Sequence, residues 1–104
     1  MEKAVMQQRI YEMGLVSTLS HNLARYMAGL SNAYTPDEFL EEAKEVMRER
    51  GVDEDKIAEW ISAAQEAAQE ELVYIAMGQF NQSNGGSAIK VEILIGPILE
   101  MMGY

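Results

Sequence analysis

There is no cysteine among the 104 residues of this chain, which excludes a disulfide framework and a thiolate metal site. Histidine occurs once, at His21, and tryptophan once, at Trp60. No run reaches eighteen consecutive apolar residues, so no membrane span is expected. The opening stretch, MEKAVMQQRIYEM, carries Glu2, Lys3, Gln7, Gln8 and Arg9 where a signal peptide needs an apolar run, and none is expected. Basic residues are scarce: eight Lys and Arg stand against 17 Asp and Glu, for a net charge of −9. Most of that charge is central. Residues 1–34 carry a net +1, residues 35–80 a net −9 and residues 81–104 a net −1. Such a middle surface repels phosphate, so direct nucleic-acid binding is not expected.

Nearly half of the residues are apolar (48%), enough for one small folded domain spanning 1–104. Three helices are expected, over about 2–30, 36–50 and 53–80. In the first, Met6, Ile10, Met13, Val16, Leu19, Leu23, Tyr26 or Met27 and Leu30 recur at three- and four-residue steps. Between Met13 and Pro36 the only Lys, Arg, Asp or Glu is Arg25, so this helix is expected to be covered on more than one side. Gly14 marks a plausible kink. The second helix opens on a Thr35-x-x-Glu38 capping box with Pro36 at its first position, and Gly51 is placed to end it. Asp53 caps the third, whose stripe runs Ile57, Trp60, Ile61, Ala64, Ala67, Ala68, Leu72, Ile75, Phe80. Its alanine-rich centre permits close approach of another helix.

Residues 81–87 (NQSNGGS) form a polar connector. Beyond it, AIKVEILIG alternates with a period of two: Ile89, Val91, Ile93 and Ile95 on one face, Lys90 and Glu92 on the other. The alternation predicts a β-strand over 88–96, followed by a short apolar helical tail over 97–102. The fold class is therefore mainly α, a three-helix domain with a C-terminal strand. A lone strand needs a partner, and pairing between two subunits of a homodimer is the expectation. Ile89, Val91, Ile93, Ile95, Ile98, Leu99 and Met102 are its expected interface. The alternative is an α+β fold in which 72–95 forms a β-hairpin.

Ala43–Trp60 resembles the helix-turn-helix of Cro-type repressors at Gly51, Val52, Ile57 and Trp60, but Met47 stands where that pattern has a small residue. The outward side chains of its second helix are Asp53, Glu54, Asp55, Lys56 and Glu59, which repel phosphate and offer little to base edges. DNA reading by this element is rejected. His21 has no acidic residue near it in sequence and reads as a core or interface residue. No Glu-x-x-His pair or calcium-loop spacing occurs, and no metal, cofactor or catalytic residue is expected. Of the eight methionines, Met13, Met27, Met47 and Met77 fall on or beside apolar stripes and are expected to fill the core.

The expected function is non-enzymatic protein–protein interaction: an acidic homodimeric adaptor or inhibitor that binds a larger macromolecular machine. Its docking face would be Glu41, Glu42, Glu45, Glu49, Asp53, Glu54, Asp55 and Glu59, meeting a basic patch on an unidentified protein partner. In size and charge the chain is similar to small acidic viral accessory factors, which implies one version: blocking a basic nucleic-acid-binding surface. The location expected is cytoplasmic, in the host if the source is viral. The alternative is a structural or assembly subunit that makes its contacts through apolar termini.

Overall fold

The computed structural model describes residues 2–78 and 89–104. They form four helices: α1 (Lys3–Met27), α2 (Pro36–Glu49), α3 (Glu54–Ala76) and α4 (Val91–Met101). The expected mainly helical character holds, and among the described residues there is no strand. The expected connector at 81–87 lies outside the described residues, as do Gln79, Phe80 and Ala88.

The main correction is at the C-terminus. Val91–Gly96, expected as strand, forms one continuous helix with the expected helical tail. The physical reason lies in which positions the two periods share. Side chains four apart lie on the same face of a helix, and they also share a face in a strand. Val91 and Ile95 therefore fit both patterns, and only Ile89 and Ile93 separate them. These two are 50% and 65% exposed, while Val91, Ile95 and Leu99 are fully buried. Leu94, Ile98 and Met102 pack beside them at the adjoining helical steps. Pro97 lies inside α4 and removes one helical N–H, a cost of about 3 kcal/mol in a helix interior. Burying Val91, Ile95 and Leu99 at roughly 1.5–3 kcal/mol each more than offsets it. Strand pairing between subunits loses its basis, because the segment is helical and five of the seven residues assigned to the interface pack into or against this chain's own core. The 72–95 hairpin falls too: Leu72–Ala76 is the last turn of α3.

The helix boundaries contract. α1 ends at Met27 and not near residue 30, and Gly14 does not interrupt it. α3 gives way to a turn at Met77 and Gly78. The predicted caps between α1 and α2 form as expected. Thr35 Oγ1 accepts from the Glu38 N–H at 3.1 Å, and the Glu38 carboxylate accepts from the Thr35 N–H at 2.9 Å. Those bonds hold the Glu38 carboxyl below its ordinary pKa, the Thr35 backbone N–H contributing most and its hydroxyl next. At the other end of α2, Gly51 has φ +84°. Its N–H donates to the Arg48 carbonyl and the Val52 N–H to the Met47 carbonyl, both at 3.0 Å. That is a Schellman motif, with Val52 and Met47 both buried beneath it. Asp53 occupies the N-cap of α3, but its side chain makes no capping bond.

α1 is the central helix and packs against all three others, most extensively against α3. Its buried side chains are Leu15, Leu19, Ser20, Leu23, Ala24 and Tyr26. Cover on more than one side is thus observed for its C-terminal half. The N-terminal half departs from expectation: Met6, Ile10 and Met13 are exposed, and the core begins at Leu15. Phe39, Met47, Ile57, Trp60 and Ala64 complete the core from α2 and α3. An aromatic cluster of Tyr26, Tyr34 and Phe39, with ring centroids 5.1–6.1 Å apart, secures the connection between α1 and α2.

α4 is fastened to the end of α2 by Arg50. Its guanidinium is bound by the Glu92 carboxylate, by Glu100 at 3.4 Å and by the Tyr104 carbonyl at 3.5 Å. Hydrogen bonding to Glu92 chiefly holds the Arg50 pKa above its ordinary value. Gly96 is part of this junction, since a Cβ there would lie 3.0 Å from both Arg50 Nη2 and Glu92 Oε1.

Candidate protein-docking groove

A concave surface lies between α1 and α3, an open groove of about 620 Å3. It follows from side-chain size. Ala64 and Ala68 are fully buried, and small side chains (Ser17, Ser20, Ala63, Ala67) continue along one side of the contact. With Val16 and Trp60 they make a shallow, largely apolar floor. Ser20 is buried, and its hydroxyl donates to the Ser17 carbonyl at 3.1 Å, so it presents no unpaired donor. Longer side chains stand at the margins: Arg9, Glu12 and Met13 from α1, and Glu59, Glu70, Glu71 and Tyr74 from α3.

Large apolar side chains remain uncovered around this groove. Met13 is 70% exposed, and Tyr74 is more than half exposed. Two of the groove residues also hold covered polar atoms that make no hydrogen bond, Trp60 Nε1 and Glu71 Oε2. The latter lies 3.7 Å from His21 Nδ1, an ion pair whenever that imidazole is protonated. His21 is exposed, which removes the core half of its expected core-or-interface role, and its acidic neighbour comes from α3, fifty residues away in sequence.

Glu42, Glu45 and Glu49 line a separate cleft with Arg50 and Glu92, between α2 and α4. Glu54 is clamped by Arg48, with 2.6 Å between Nε and Oε1, and Glu41 pairs with Lys44 at 3.2 Å. Glu59 belongs to the α1–α3 groove, 3.9 Å from Lys56. Asp53 and Asp55 are exposed at the start of α3. Among the described residues no group of three or more His, Asp or Glu side chains is arranged to hold a metal ion.

The expected interface residues divide likewise. Val91, Ile95 and Leu99 are fully buried in this chain, and Ile98 and Met102 pack against its core. Only Ile89 and Ile93 are exposed. Of the four methionines expected to fill the core, Met47 does so, whereas Met13, Met27 and Met77 are exposed.

Met13, Ala63, Ala67, Glu70 and Tyr74 were not singled out as a site by the sequence. Their signal was divided between two readings. The alanine-rich centre of α3 marked close helix approach, Met13 was expected in the core, and only the fold puts them side by side on an open surface.

No described helix is long and apolar enough to cross a membrane. No protein-family model, no curated protein and no solved structure matches this chain.

Proposed function

We propose that this protein is a non-enzymatic interaction module, an adaptor or inhibitor that seats a helical segment of a larger partner in the α1–α3 groove. The observation that carries the reading is the groove itself, apolar along its floor, open along its length and flanked by exposed Met13 and Tyr74. Its lining runs from Arg9 to Ser20 on α1 and from Glu59 to Tyr74 on α3. At 1.5 Å per residue these spans are about 17 and 22 Å, which suits three to four turns of helix. A shallow groove between two helices, floored by alanine and serine, accepts the ridge of a third by the packing that joins helices within domains. Exposed methionine is suited to such a surface because its side chain adjusts to the partner.

This moves the contact away from the α2 carboxylates favoured on sequence grounds. It also weighs against assembly through an apolar C-terminus, since α4 spends its apolar face inside the fold. The test is site-specific photo-crosslinking in the native source. A crosslinking side chain at position 67, on the groove floor, is expected to give a discrete protein adduct that Ala63→Lys removes. The same group at position 41, on α2, is expected to give none. An adduct from position 41 alone would return the contact to the acidic face and overturn the groove assignment.

A further inference from the structure

We infer that the helix received by the α1–α3 groove is cationic and amphipathic, with an apolar stripe on one face and Lys or Arg on its flanks; this rests on the groove being the contact surface. Charge complementarity carries it. The groove margins carry Glu12 on one side and Glu59, Glu70 and Glu71 on the other, against the single cation Arg9. The whole chain adds to that field with a net charge of −9. An occupant whose apolar ridge rests on Val16, Ala63 and Ala67 brings its flanking positions level with these carboxylates. Basic residues there are attracted on approach and held on arrival, whereas acidic ones are repelled.

A second copy of this chain suits the groove poorly. It would bring another −9 to an acidic margin. The apolar run of its own α1 (Val5, Met6, Ile10, Met13) lies among charges that cancel, Lys3 and Arg9 against Glu2 and Glu12.

The test uses Trp60, which is the only tryptophan of the chain and lines the groove. The full chain is titrated with three tryptophan-free peptides of about fourteen residues, roughly 21 Å as helix. One is an amphipathic helix of Leu and Ala with Lys on its polar flanks. The second has Glu in place of Lys, and the third has the composition of the first in scrambled order. The Lys helix is expected to change Trp60 emission saturably and to bind at least tenfold more tightly than either control. Combined Glu12→Lys and Glu70→Lys is expected to weaken it at least tenfold. Glu41→Lys with Glu45→Lys, on α2, is expected to weaken it less than twofold. Circular dichroism confirms that each variant is folded.

Equal loss from the α2 pair, or equal binding of the scrambled peptide, would reveal general charge attraction and overturn the inference. Equal binding of Lys and Glu helices, both abolished by Ala63→Lys, would overturn the cationic partner while leaving the groove as the contact. No response to any peptide would overturn both. A chain that sediments alone as a dimer, and becomes a monomer on Ala63→Lys, would make a second copy the occupant and equally overturn the proposal.

Discussion

Ile93 and Ile95 are two residues apart and chemically identical, so replacing each in turn by alanine separates the helical C-terminus from a strand without altering hydrophobic composition. In α4 they lie on different faces: Ile95 is fully buried between Val91 and Leu99, and Ile93 is 65% exposed. Alanine is at least as good a helix former as isoleucine, so neither change breaks the backbone. At Ile95 the loss is transfer free energy plus the cavity left among close-packed neighbours, about 2–5 kcal/mol. At Ile93 little contact exists to lose, and the change should stay within about 0.5 kcal/mol. For a domain of this size each 1 kcal/mol moves the melting midpoint by about 4–8 °C. Taking about 3 kcal/mol, Ile95→Ala should lower Tm by about 12–24 °C, whereas Ile93→Ala should move it by only a few degrees. The assay is thermal and urea unfolding followed by circular dichroism at 222 nm. Trp60 gives a second readout, because its ring meets that of Tyr104 just beyond α4, with centroids 6.5 Å apart. Comparable losses at the two positions would refute the helix, since a strand puts both on one face. A negligible loss at Ile95 would refute the docking of α4 onto the core.

Gly51→Ala forces a β-carbon into the left-handed region at φ +84°, so urea unfolding should show about 1–2 kcal/mol of destabilisation. Thr35→Ala removes the capping box and should cost about 1 kcal/mol by the same measurement. Because those bonds depress the Glu38 pKa, their stabilisation is fully present above the ordinary carboxyl value of 4.5 and is lost as pH falls through the lower folded value. An acid titration of stability should therefore be flatter in a Glu38→Gln protein, whereas Thr35→Ala, which keeps the backbone N–H bond to the Glu38 carboxylate, should change it less. At the opposite extreme, Tyr26 is raised above 10.0, chiefly by burial, and Tyr34 is raised chiefly by its hydrogen bond with Glu42. Stability from keeping these phenols neutral is complete below pH 10 and is lost as pH rises through their folded values, so Tyr26→Phe with Tyr34→Phe should flatten the alkaline limb of the stability–pH curve.

Where local chemistry decides, the fold was legible in the sequence. The Thr35 capping box, Pro36 at the first position of α2 and Gly51 after its last turn are signals that act through neighbouring backbone groups, and each performs its expected role. The C-terminal segment was not legible, for a reason that is itself physical. A run of β-branched side chains at odd positions favours a strand locally, and Gly96 and Pro97 disfavour a helix. What reverses the balance is long-range: the core presents an apolar face to Val91, Ile95 and Leu99, and Arg50 reaches across more than forty residues to Glu92 and Glu100. Local propensity spans only a few kcal/mol over such a segment, and burial of three large side chains is of the same size or greater.

The groove was hidden for a different reason. The stripe Met6, Ile10, Met13 on α1 has the spacing of a core face, and periodicity alone cannot tell a face covered by the same chain from one left for another. The two halves of α1 differ in what α3 and α4 set against them. Around Leu15–Leu23 the large apolar side chains are enclosed. The groove lining from α3 includes Ala63 and Ala67, whose side chains are too small to cover the longer chains of α1. Met13 and Ile10 are left exposed on a chain with carboxylate enough to stay soluble without them. Solubility needs the acidic charge but does not require that so much of it line an apolar trough. Glu12, Glu59, Glu70 and Glu71 stand there, Glu59 beside Lys56 and Glu71 beside His21, while Glu41 and Glu54 outside the groove pair with Lys44 and Arg48. On this proposal the acidity falls into two populations, one on α2 and the start of α3 and one set around an apolar floor, and the second is where a basic helix would gain both burial and charge pairing.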